Sequence, residues 1–477
     1  MVSASSPDEE RARRRLIPEQ MILPLVIASA LFLENMDSTV LATSLPAIAL
    51  DLGIDPIILK LAFTSYLLSL AVFIPISGWM AERFGARHVF RIAIAVFTLA
   101  SMVCAFTTTL PGFIAARFFQ GMGGAMMVPV GRFVLVRAVP KSELVQALSY
   151  LTLPALIGPV IGPLIGGFLT TYLHWRWIFF INLPMGLIGI ILATRYVPDV
   201  KGDNLTPLDG RGFLLSGLGL SSLVFGLTIL GRELLPVVAA PGLILFGFLC
   251  LALYALHARL VPHPILKLKL LKLPTFRTSV VGGFLFRAGI GSNPFLLPLM
   301  LQIGFGLSAF QSGSLTFASS AGALIMKFTA PRILKRFGFR QILVVNGLIS
   351  AAFFGAIALF SETTPHILIL AVLLTGGFFR SLQFTCLNAI AYAKVEQSDL
   401  SRASSFASVV QQISGSMGVA FAAIIIESLQ FMRGDLLLKP DDFRIAFAIV
   451  SVLVGSSVLF HRRLDPKAGA DVSGHTN

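Results

Sequence analysis

Arg83-Phe84-Gly85-Ala86-Arg87 and Arg336-Phe337-Gly338-Phe339-Arg340 are the same pentad but for its fourth residue, and each stands at the end of a long apolar run. Two copies of one basic turn, each leaving a hydrophobic stretch, are what a chain built from two related halves produces. A chance match of a short Arg-Phe-Gly pattern is the competing reading, and the shared position argues against it. Working outward from the pentads, apolar runs of roughly 20 residues, enough to cross a bilayer as helix, recur from 21–48 to 443–461. Fourteen such runs are expected, with short polar breaks between them.

The composition agrees, with 56% hydrophobic and only 13% charged residues in 477 and a mean hydropathy of +0.85, the balance of an integral membrane protein. Hydrocarbon cannot satisfy free backbone groups, so runs this long must be helices, and the glycines and prolines within them mark kinks and close packing. The expected fold class is all-α, integral membrane, with fourteen transmembrane helices. If the pentads are equivalent loops, the first and last six helices form two bundles, 21–196 and 275–461. Helices 7 and 8 are then an inserted pair over 210–257, joined near Gly231-Arg232-Glu233, and residues 1–20 and 462–477 are tails.

Most of the 37 Lys and Arg crowd into the tails and alternate loops on one side: Arg11 to Arg15, Arg83 and Arg87, Arg259 to Arg277, Arg332 to Arg340, and Arg462 to Lys467. That side is expected to be cytoplasmic, which puts both termini inside. The net charge of +14 is then a topological signature and calls for no nucleic-acid partner. Cys104, Cys250 and Cys386 fall inside helices, so neither a disulfide framework nor a metal site is indicated. The polar N-terminal tail does not read as a cleaved signal peptide. All seven histidines, His461 among them, fall at helix ends, in loops or in the tail and read as solvated.

Glu34, Asp37, Arg132, Arg287 and Arg380 stand out inside these apolar helices. A charge at membrane depth costs roughly 3 kcal/mol, so it is kept where it lines a polar pathway or has a partner. Glu34, Asp37, Arg287 and Arg380 count out near the bilayer middle. Arg132 lies nearer the cytoplasmic end of its helix, where it either lines a pathway or snorkels to the surface, as Lys327 does. Glu34 and Asp37, three residues apart, share a helix face. Asn293, Gln383, Asn388 and Gln411 suit either polar cavity contacts or bridges between helices. Phe284, Phe286 and Phe295, near Arg287, are open to the same question for an apolar ligand.

Several motifs together resemble the major facilitator superfamily, and within it the fourteen-helix drug:proton antiporters. The run Gly78-Trp79-Met80-Ala81-Glu82-Arg83-Phe84-Gly85-Ala86-Arg87 looks like the family's cytoplasmic signature, with Met80, Glu82 and Ala86 departing from the usual Leu, Asp and basic residue. Arg117-Phe118-Phe119-Gln120-Gly121 is similar to the fourth-helix motif, and Gly158-Pro159, Gly162-Pro163 and Gly166-Gly167 to the fifth-helix antiporter motif. Trp175-Arg176-Trp177-Ile178-Phe179-Phe180-Ile181-Asn182-Leu183-Pro184 resembles the fourteen-helix subfamily in particular, as do Asp37-Ser38-Thr39-Val40 with Leu45-Pro46 and Gln411-Gln412. Gly123 through Arg132, Leu301-Gln302-Ile303-Gly304, Arg287 and Arg380 look like bacterial MdtD-like proteins.

The resemblance implies a monomeric, multi-pass transporter of the bacterial inner membrane that works by alternating access. Its partners would be a small-molecule substrate, protons and the lipid bilayer, and it would need no cofactor beyond a proton gradient. In that picture Asp37 carries the proton, assisted by Glu34 and Arg117. Arg287, Arg380, Arg132, Asn293, Gln383, Asn388 and Gln411 contact substrate. Gly78, Glu82, Arg83 and Arg87 lock the cytoplasmic side, while Gly158, Pro159, Gly162, Pro163, Gly166 and Gly167 let the fifth helix pack and bend as a gate. The first bundle's acids are expected to face the second bundle's arginines across a central cavity, although a permanent ion pair without cycling is the plainer alternative.

The family's usual cargo is a lipophilic, often cationic drug. Two midplane arginines disfavour a purely cationic ligand, so an organic anion such as citrate or a metal-citrate chelate is the alternative. A lipid flippase or a channel is a further reading. No zinc-binding or phosphate-cradling motif points to an enzyme or to ATP.

Overall fold

The computed structural model describes residues 19–139, 144–202, 207–230, 236, 238–396, 399–435, 437–473 and 475. The Arg11 to Arg15 cluster and the Gly231-Arg232-Glu233 turn lie outside these residues. Among the described residues all regular structure is helical, and twelve stretches are long and apolar enough to cross a membrane. The first bundle holds α1 (Glu19–Leu52), α2 (Lys60–Phe84), α3 (Ala86–Phe106), α4 (Leu110–Ala138), α5 (Leu144–Tyr172) and α6 (Trp177–Tyr196). Next come α7 (Gly210–Ile229) and α8 (Ala239–Leu260). The second bundle holds α9 (Pro274–Gly304), the stretch Ala309–Leu359, α12 (His366–Tyr392), α13 (Leu400–Arg433) and α14 (Pro440–Ser456).

Ala309–Leu359 is two helices, α10 (309–337) and α11 (339–359), which meet at Gly338. Gly338 has φ 67° and ψ 170°, and Gly85, between α2 and α3, has φ 91° and ψ 130°. Only glycine enters this region without strain. The pentad glycines therefore make the same kind of turn in both halves.

The stripe expected on α5 is used for close approach. A Cβ on Gly158 would come within 3.0 Å of the Phe32 carbonyl oxygen, and one on Gly166 within 2.6 Å of the Val40 carbonyl oxygen, so α5 lies directly against the α1 backbone. Gly167 faces the other bundle, where a Cβ would lie 2.5 Å from the Ala309 carbonyl oxygen of α10.

The two bundles join at the end of the molecule opposite the pentads. There one continuous apolar core runs from Met36, Val40, Leu41 and Leu45 on α1 to Phe295 through Leu301 on α9. The Gln302 side-chain amide donates to the Thr43 carbonyl oxygen at 2.9 Å, and the Phe310 N–H to Thr171 Oγ1 at 2.9 Å. At the pentad end the first bundle has a core of its own, built on Val26, Ile27, Phe90, Val130 and Val134. The inserted α7 packs on both α2 and α13, so it lies along the seam between bundles.

Candidate functional site: a buried ion pair in the first bundle

Three side chains from two other helices converge on Asp37. Arg117 on α4 donates from NH1 to Asp37 Oδ2 at 2.7 Å. Gln120, one turn further along α4, donates to Oδ1 at 2.9 Å, and Asn182 at the start of the regular part of α6 donates to Oδ1 at 2.7 Å. Asn182 also reaches Ser101 Oγ on α3 at 2.9 Å, and the Arg117 guanidinium lies 4.3 Å from the centre of the Tyr66 ring on α2. Asp37 and Arg117 are 3% and 1% exposed, so the pair is dry, and charges in such a place persist only when paired and hydrogen-bonded.

Glu34 sits one turn before Asp37 and is also buried. It accepts a long 3.5 Å hydrogen bond from Asn35, and among the described residues no Lys, Arg or His forms an ion pair with it. A Cβ on Gly124 would lie 3.3 Å from both Glu34 Cγ and the Tyr66 hydroxyl oxygen, which places these two side chains over the same patch of α4.

The expected meeting of acids and arginines across the molecule is corrected by these positions. Asp37 is saturated within its own bundle. Arg287 on α9 donates to the Ser279 carbonyl oxygen at 2.6 Å and to Asn388 Oδ1 on α12 at 3.1 Å, within the second bundle. Arg380 on α12 lines a cavity with Ile290, Asn293, Ser319, Ser350 and Phe353, and among the described residues it has no carboxylate partner. The physical reason is proximity: Asp37 is satisfied by Arg117 on a helix packed beside α1, and Arg287 by groups of α9 and α12, before either reaches the other bundle.

The amides divide. Gln383 is fully buried and bridges helices, donating to the Leu343 carbonyl oxygen at 3.0 Å and accepting from Asn346 at 2.9 Å, so the helix-bridge alternative holds for it. Asn293 is buried with its carbonyl oxygen unmatched at the Arg380 cavity, while Asn388, Gln411 and Arg132 are exposed. Phe286 and Phe295 are fully buried core residues. His461 is likewise fully buried, against Gly282 of α9, which corrects its reading as solvated.

The cytoplasmic signature engages its own bundle. Glu82 accepts the Gly202 N–H through its backbone oxygen at 3.1 Å, Arg87 donates to the Val197 carbonyl oxygen, and Ala86 N–H donates to the Val200 carbonyl oxygen at 2.9 Å. Arg83 is exposed, and a Cβ on Gly78 would meet nothing within 4 Å. In this conformation these residues hold the segment after α6 rather than the second bundle.

Sequence reasoning missed Asn182, Tyr66 and one inter-bundle ion pair, Lys60 to Glu427 at 2.6 Å. It also missed the irregularity of α9, which contains π-helical turns at Thr278–Gly282 and Met300–Gly304 on either side of Arg287 and Asn293. Such turns concentrate at functional positions.

A family model described as Major Facilitator Superfamily matches residues 27–419 and, separately, residues 279–476. The chain belongs to the major facilitator superfamily. It is 35% identical over 406 residues to the Citrobacter koseri protein MdtD, a multidrug resistance protein by name, with 84% of this chain and 85% of the relative covered. It is also 35% identical to a Haemophilus influenzae protein, HsrA, a transport protein by name, covering 91% and 93%. Among solved structures it is similar to a D-xylose-proton symporter, with a TM-score of 0.67 at 14% identity, covering 94% of this chain and 98% of that one. The superfamily consists of multi-pass membrane transporters, so a transporter and not an enzyme is the class to which the chain belongs.

Proposed function

We propose that the chain is a proton-coupled exporter of small organic molecules, a monomer in the bacterial inner membrane with fourteen crossings and both termini cytoplasmic. The crossing count is supported by the twelve apolar stretches, by the division of one of them at Gly338, and by α5, whose part over Leu156–Tyr172 is a further apolar helix. Residues 21–196 and 275–461 act as the two rocking bundles and 210–257 as the inserted pair.

The observation that carries proton coupling is the Asp37–Arg117 pair with Glu34 one turn away. A proton arriving on Asp37 changes what it offers to Arg117, Gln120 and Asn182, and Asp37 is held by these residues of α4 and α6 together, with Glu34 one turn away on the same face. Proton occupancy is thereby tied to helix packing, which is what a coupled transporter requires. Asp37 holds Arg117, Gln120 and Asn182 in place, and Glu34, which has no basic partner among the described residues, is the carboxyl that exchanges. The cargo class follows the multidrug name of the relatives. A second reading, an organic anion, is favoured by Arg380, which has no carboxylate partner among the described residues and shares its cavity with the unmatched Asn293 oxygen.

The test is transport in proteoliposomes under an imposed pH gradient, with a cationic dye and citrate as cargoes. Gradient-driven flux lost in Glu34→Gln and Asp37→Asn supports the reading. Flux that ignores the gradient in the unmodified protein sinks it.

A further inference from the structure

From Pro274 to Tyr392 the chain holds one acidic residue, Glu362, which lies exposed in the loop between α11 and α12. The helices α9, α10, α11 and α12 therefore carry no carboxylate of their own. Two arginines stand well inside them, and both have glycine one turn before. A Cβ on Gly283 would lie 2.7 Å from the guanidinium of Arg287, four residues on. Arg380 shares its cavity with Gly376 and Gly377, four and three residues before it, on the side to which a helical side chain points back. Arg287 ends on the Ser279 carbonyl oxygen and Asn388. Arg380 has no such end: among the described residues no group accepts a hydrogen bond from it.

Three more polar side chains face the same cavity. Asn293 on α9, Ser319 on α10 and Ser350 on α11 are 6%, 4% and 3% exposed, and none of them forms a side-chain hydrogen bond among the described residues. Other serines of this bundle turn back on a carbonyl oxygen, as Ser292 does on Gly289 at 2.6 Å and Ser314 on Phe310 at 2.8 Å. Buried polar groups are nearly always matched, so four helices that each aim one at a single space point to a ligand that all four share. The groups present decide its charge. A guanidinium and two hydroxyls donate, and the Asn293 amide, whose oxygen is unmatched, can turn a donor inward without losing a bond. Ile290, Phe353, Phe354 and Leu373 wall the rest, and the free space is on the order of one or two water-sized particles.

We propose that this cavity binds a small inorganic anion of chloride size, held as the resident counter-ion of Arg380. Water satisfies hydroxyls but leaves a buried guanidinium without its counter-charge, which is the costly arrangement. The anion supplies the negative charge that the four helices lack, and its contacts run to all of them, so it braces the second bundle from inside. A citrate-sized molecule does not fit the space, and an ion enclosed within one bundle stays in place while the bundles rock. The site thus goes beyond proton coupling and cargo, and it gives Arg380 a partner other than cargo.

The experiment is thermal unfolding of the purified full-length protein in detergent at constant ionic strength, with sodium gluconate, too bulky for the space, replaced stepwise by sodium chloride. Chloride is expected to raise the melting temperature by about 3 °C or more, in proportion to the logarithm of its concentration once the site fills, and bromide to act alike. Arg380→Met is expected to lose the response. Ser319→Ala and Ser350→Ala, which keep every charge, are each expected to need about tenfold more chloride for the same rise, and they decide the matter if Arg380→Met does not fold. A parent protein indifferent to chloride, or variants that respond as the parent does, overturn the proposal. Citrate that protects through Arg380 where chloride does not also overturns it, and favours the organic anion as cargo.

Discussion

Asp37 and Arg117 lie 2.7 Å apart on α1 and α4, and both are almost wholly removed from water. The charge that the sequence shows as an isolated intramembrane acid is one arm of a four-residue junction that joins α1, α4 and α6.

Removing either arm leaves the other buried without its counter-charge, held only by neutral groups. Asp37→Asn and Arg117→Gln are each expected to cost about 3–5 kcal/mol of stability and to abolish gradient-driven flux. The double variant should recover much of the stability and none of the flux. Thermal unfolding in detergent and proteoliposome transport measure the two effects separately.

Gly85 and Gly338 hold backbone conformations that a side chain strains. Gly85→Ala and Gly338→Ala are each expected to lower stability by about 1–3 kcal/mol. Because they sit in different bundles, their effects should add. Denaturation of the two single variants and the double variant checks both statements.

Close approach at the α5–α10 joint predicts a contrast between two glycines. A side chain at Gly167 collides with backbone of α10, so Gly167→Val should reduce transport by about tenfold or more. Gly78 has open space around it, and Gly78→Ala should leave thermal stability within about 0.5 kcal/mol. A loss of transport in Gly78→Ala at full stability would then report packing in the opposite conformation.

The loop between α13 and α14 carries a pH signature. Hydrogen bonds from Arg433 and Lys439 bring the Asp435 carboxyl down to about 2. A carboxylate depressed on folding contributes its stabilisation above its unfolded value, near 4, and loses it as pH falls through 2. A fluorophore on Leu437→Cys, an exposed position, should report a constant loop from neutrality to about pH 4 and a loosening below it. Asp435→Asn should remove that step.

What was legible in the sequence is what depends on local pattern. The pentad glycines announced two like turns, and both have positive φ. The spacing of Gly158, Gly162 and Gly166 announced a smooth face, and α1 lies against it. Glu34 and Asp37 read as sharing one face of α1, and both are buried there.

Partner choice was not legible. Lys60 and Glu427 are 367 residues apart, and no spacing rule connects them. Asp37 was matched in expectation to arginines of the far bundle, yet Arg117, on a helix packed beside α1, satisfies it first. The π-helical turns of α9 also leave no trace in an apolar pattern, because they shift only the hydrogen-bond register.

The placement of α7 over α2 and α13 has a consequence for how cargo arrives. A molecule dissolved in the lipid and approaching that flank meets a wall of packed helices. The opposite flank, where α5 and α10 touch by bare backbone near Gly167 and Ala309, is closed at least as tightly in this conformation, so lipid meets packed helix on both sides.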